Sequence, residues 1–114
     1  MTADRASLGP AAPDEVAALA ATVDGAPADG LVEDWRFFAL RVDLPSGRVT
    51  SLRLLGELDR QVWITSDVLA VDDGAGLVRT RSGSTYGLGS PGQGEAPQSH
   101  LLHLRRAARA WGWA

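Results

Sequence analysis

The chain has no cysteine, no lysine and no asparagine in its 114 residues. Without cysteine there can be no disulfide, no thiolate metal ligand and no thiol nucleophile. Without lysine, every Lys/Arg-type cation is arginine. Such a set can mark phosphate or carboxylate recognition. Here alanine, glycine and arginine, which share GC-rich codons, are abundant together, and the codon bias of a GC-rich bacterial or phage genome accounts for it. Long apolar runs are missing too: none approaches the roughly 18 residues that span a bilayer. Met1 to Arg5 shows no cationic segment leading into an apolar stretch, so it does not read as a signal peptide. These absences give the expectation of a cytoplasmic protein with no membrane contact.

What is present is of globular composition, 45% hydrophobic, in a length that makes one domain with a real core. The charges are sorted by position. Residues 1–30 carry five acids against Arg5 alone, whereas residues 76–114 carry five arginines against Glu95 alone. An acidic front and a basic end give the domain a dipole that can steer partners.

Residues 1–12 are small, polar and rich in alanine and proline, and read as a disordered tail; residues 13–114 form the domain. Pro13 suits a first helical turn, Asp14 and Glu15 suit its dipole, and Val16, Leu19, Ala20 and Val23 recur at helical spacing, predicting a short helix over 13–23. From Val32 the period becomes two. Arg36, Phe38, Leu40, Val42 and Leu44 share one face of a strand, with Trp35 and Phe37 on the other, so both faces need cover. Pro45-Ser46-Gly47 turns the chain into a strand over 48–58. Asp59-Arg60 turns it into another over 61–65, and a further strand spans 68–71. Asp72 to Gly76 is a turn, and 77–81 pairs with 85–88 across Ser82-Gly83-Ser84. Gly87 and Gly89 mark a close backbone approach. Gln98 to Trp111 reads as a helix with Leu101, Leu104, Ala108 and Trp111 on one stripe, offered as cover for Trp35 and Phe37. The expected fold class is α+β: a twisted antiparallel meander of about five short strands, curled towards a small open barrel. A short N-terminal helix and a C-terminal helix packed on the sheet complete it.

Candidate binding residues gather at the basic end. Arg105, Arg106 and Arg109 share one arc of the last helix, and Trp113 follows as an interface anchor, since Trp and Arg dominate binding hot spots. Arg79 and Arg81 alternate along one strand, with Tyr86 across the hairpin. Together these seven residues would resemble a nucleic-acid surface of cations and a stacking ring. Against that stand a pI near 5.2 and the nearby Asp72 and Asp73, able to neutralise Arg79 and Arg81. Arginines on a helix are also commonly a solvated face.

No catalytic set, metal site or cofactor can be assembled. Ser82-Gly83-Ser84 is too short for a phosphate loop and joins strands. His100 and His103 stand at i, i+3 but have no carboxylate or thiolate near them in sequence. Glu33-Asp34 and Asp72-Asp73 are adjacent pairs rather than carboxylates opposed across a cleft. The segment RTRSGSTYGLG (79–89) resembles small β-rich phage and mobile-element proteins, a likeness that attaches no function. The first reading is therefore a non-catalytic module that docks on another protein, as an inhibitor or regulator from a phage or mobile element. A homodimer joining acidic front to basic end is its variant. A nucleic-acid-binding accessory protein is the alternative, and an unrecognised enzyme the last.

Overall fold

The computed structural model describes residues 5–111. Among these residues seven strands and two helices follow in the order β1 (Arg5–Pro10), α1 (Pro13–Ala17), β2 (Leu31–Leu44), β3 (Gly47–Leu58), β4 (Gln61–Ile64), β5 (Val68–Asp72), β6 (Leu77–Thr80), β7 (Thr85–Leu88) and α2 (Gln98–Ala110). The sheet order is β4-β3-β2-β7-β6-β5, with β1 beside β2. The class is α+β, as the alternation of periods predicts. The path is not a simple meander, however: β2 meets β7 in parallel through Leu31↔Gly87 and Val32↔Leu88.

β2 organises the molecule. One edge pairs with β3 along most of its length. The other edge is shared, with β7 against its first residues and β1 against Phe38–Asp43. The expected tail over 1–12 therefore gives way at Arg5–Pro10 to a strand, with Leu8 opposite Leu40 and Ala6 opposite Val42. Residues 1–4 lie outside the described residues. A strand edge leaves backbone N–H and C=O groups that must be satisfied, and this need orders a segment with almost no apolar signal of its own.

Both faces of β2 are covered, but not by the elements the sequence favours. Ala39 joins Val32, Leu52, Leu54, Val68, Val71, Val78 and Tyr86 in the main core; Trp35 and Phe37 pack on it with Ala11, Val16 and Leu19. Their cover is thus the α1 region rather than the last helix. The Trp35 and Phe37 rings meet edge to face at 5.6 Å, and the Trp35 indole N–H donates to the Gly89 carbonyl at 2.9 Å. On the opposite face, Phe38, Leu55 and Leu104 form a second core with Leu101 packed against it. Leu54 and Leu55 are both wholly buried, as consecutive strand residues must be when each face has its own cover.

α1 ends at Ala17 rather than at residue 23. The chain beyond it runs along β5 instead, where the Val71 N–H donates to the Leu19 carbonyl at 2.9 Å and the Ala21 N–H to the Val71 carbonyl at 3.1 Å. The sheet curls but does not close. The Trp63 indole N–H of β4 reaches the Tyr86 hydroxyl of β7 at 3.2 Å, a side-chain bond between strands that do not pair.

Between Glu33 and Arg36 the β2–β3 register slips. The extra residue leaves Asp34 in the left-handed region, at φ 49°. Opposite lies Gly56, where a Cβ would come within 2.7 Å of the Glu33 carbonyl and 3.1 Å of the Trp35 Cα. This is a β-bulge held by a glycine, a device that re-aims a side chain.

Candidate functional site

α2 divides into two stripes. His100, Leu104 and Ala108 are buried. Leu102, Arg105, Arg106 and Arg109, at i, i+3, i+4 and i+7, are exposed, and Leu102 keeps 49% of its surface in solvent. Among the described residues, none of these three arginines makes an ion pair or a hydrogen bond. A last-turn arginine such as Arg109 also complements the helix C-terminal dipole.

The other candidate residues are engaged elsewhere. Arg79 donates from Nε to the Thr85 hydroxyl at 3.0 Å and from Nη2 to the Asp24 carbonyl at 3.1 Å. Arg81 pairs with Asp67 at 3.2 Å, which also takes Arg53 at 2.9 Å. The expected neutralisers, Asp72 and Asp73, do not take part: Asp72 accepts the backbone N–H groups of Val23 and Ala75, which hold its carboxyl below the usual range. Tyr86 is buried in the main core and registers opposite Val78, whereas Arg79 registers opposite Thr85, so Tyr86 and Arg79 face opposite ways. Tyr86 therefore does not share a face with Arg79, and Arg79 and Arg81 have partners of their own. Trp113 lies outside the described residues. Trp111 packs its ring over the Arg53 guanidinium at 4.0 Å.

What the sequence does not reveal is a groove between β1 and α2. Its floor is Ala6, Leu8, Leu40 and Ala108, and Arg105 and Arg109 stand on it; the volume is about 270 Å³. At Leu8 and Arg105 it joins a larger cleft of about 800 Å³ that runs past Phe38, Leu101 and Leu104 to the loop over 91–96. Two of the unpaired arginines thus belong to an apolar trough. Recognising it requires β1, the element with the weakest pattern.

A second convergence lies at the other end of α2. His100, wholly buried, places Nε2 2.9 Å from Glu57 Oε2. One ligand atom from each of Asp34, Glu57 and His100 falls within 4.8 Å of the others. The sequence leaves His100 without a carboxylate because both acids arrive through strand register. Its expected companion, His103, is exposed. No family model, curated protein or solved structure matches the chain.

Proposed function

We propose that the protein is a non-catalytic docking module whose β1–α2 trough receives an acidic, leucine-bearing segment of another protein. The observation that carries this reading is the combination in one place of unpaired Arg105 and Arg109 with an apolar floor of Leu8 and Leu40. Carboxylates of the guest meet the guanidiniums, and its apolar side chains enter the trough. Arg106 and Leu102 extend the surface around the helix. Nucleic acid fits less well: phosphates have no use for an apolar floor, Tyr86 is not presented for stacking, Arg79 is bonded to Thr85 and Asp24, and the exposed Arg81 has Asp67 beside it. The proposed setting is the cytoplasm and the proposed role that of a regulator or inhibitor; the GC-rich composition and the likeness of the 79–89 segment favour a phage or mobile-element origin.

The test is fluorescence anisotropy with two labelled probes, a pool of eight-residue peptides alternating leucine with aspartate or glutamate, and a generic single-stranded DNA. Peptide binding should weaken with salt. It should fall about tenfold or more in each of R105A and R109A, the loss typical of a hot-spot arginine. Peptide binding unchanged in R105A/R109A removes the trough as the site. DNA bound more tightly than any peptide replaces this reading with the nucleic-acid one. Salt-sensitive dimerisation without either probe would make a second copy the occupant.

A further inference from the structure

The geometry points to a site for a divalent first-row transition ion, of which zinc is the best fit, built from Asp34, Glu57 and His100. Three elements supply it: the bulge of β2, the end of β3 and the first turn of α2. One imidazole nitrogen and two carboxylate oxygens make a mixed donor set that suits zinc or manganese, whereas magnesium and calcium favour oxygen alone.

A purely structural contact between Glu57 and His100 leaves part of this arrangement unexplained. It does not require Asp34, which the β2 bulge places with one ligand atom within 4.8 Å of those of Glu57 and His100. Bringing Asp34 and Glu57 together sets two like charges in close range, which is unfavourable unless a cation lies between them. Arg36 relieves this only partly. Its Nη1 is 3.5 Å from Asp34 Oδ2, while Nη2 donates to the carbonyls of Gln93 at 2.8 Å and Glu95 at 3.2 Å. An ion would replace the His100–Glu57 hydrogen bond with two ligand bonds. Asp34 and Glu57 are half-buried, so their carboxylates meet solvent on one side.

One feature limits the strength of binding. His100 Nδ1 is buried with no hydrogen-bond partner. Metal-bound histidines ordinarily donate from the second nitrogen to an acceptor, and loss of that acceptor costs roughly 10–100-fold in affinity. Binding should therefore be moderate rather than of structural-zinc strength.

The test is calorimetric titration of the EDTA-treated, dialysed full chain with zinc chloride and, separately, magnesium chloride. One zinc per chain should bind and magnesium should give no heat. E57Q retains an acceptor for the His100 ring and removes the charge; D34N keeps a residue type that tolerates the left-handed backbone. Each should keep the parent's circular dichroism and lose roughly 100-fold or more in zinc affinity, a loss beyond that of an outer acceptor. Cobalt in place of zinc should give visible absorption bands that vanish in both variants. H103Q should bind as the parent does. No zinc binding by the parent, binding retained in both E57Q and D34N, or binding abolished by H103Q overturns the assignment.

Discussion

Glu15 shows how one side chain can hold a whole segment. Its carboxylate accepts Arg41 Nε at 2.7 Å and Nη2 at 2.6 Å, and reaches back to the Ala12 N–H at 2.8 Å. It thereby ties the first turn of α1 to the middle of β2. The Arg41 guanidinium, and then the Ala12 N–H, hold its carboxyl at about 2, against an ordinary 4.5. A carboxylate depressed by folding contributes stability that is complete above its unfolded pKa and is lost as pH falls through the folded one. The contribution of Glu15 should therefore be intact above about pH 4.5 and disappear towards pH 2. Thermal unfolding of the parent and E15Q across that range should show a gap in Tm that is widest near neutrality and closes on acidification. A gap independent of pH would mean that the tie does not rest on the charge.

At the scale of elements, α2 has separate duties on its two stripes, and these should respond differently to substitution. Leu104 is buried against Phe38 and Leu55, so Leu104→Ala should lower unfolding free energy by about 2–5 kcal/mol. The triple variant R105A/R106A/R109A removes only exposed groups and should stay within about 0.5 kcal/mol of the parent in the same denaturant titration. If the arginine variant is the more damaged of the two, the outer stripe holds the fold and is not a free surface. The elements differ in how far their sequences announce them. β2 and β3 are legible because each is a long run of strand-forming residues, 14 and 12 in length, and the two meet at Pro45-Ser46-Gly47. The β3–β4 turn is legible from Asp59-Arg60, although both residues take positive φ, a demand usually met by asparagine or glycine. β1 is not legible: Arg-Ala-Ser-Leu-Gly-Pro has one large apolar residue, and its order comes from an edge of β2 some thirty residues away. The trough shares that obscurity. The His100 cluster is hidden for another reason: it requires the one-residue slip beside Gly56, and no local pattern specifies a slip.

Across the whole molecule, the arginines of the basic end divide, among the described residues, into those with partners and those without. Folding spends Arg79 and Arg81 on contacts with Thr85, Asp24 and Asp67; Arg105, Arg106 and Arg109 remain presented on α2. The sequence-level dipole therefore narrows to one helix, which suits a local charge match more than steering over the whole surface.

The backbone ladder between β2 and β7 is short and parallel, and although the main core is shared across it, its bonds should be the first to open. β1 to β4 are joined by antiparallel pairs and so are β5 to β7, and among the described residues only Leu31↔Gly87 and Val32↔Leu88 register between the two sets in the sheet. Native proteins open in cooperative units along such thinly bonded lines. In deuterated water, the amides of Gly87 and Gly89, which donate across this line to Gly30 and Val32, should take up deuterium well before that of Leu54, which is sealed within the larger set. Uptake in step at all three would mean that the chain opens as a single unit. Earlier uptake at the line would mean that it breathes as two leaves about a hinge two residues long.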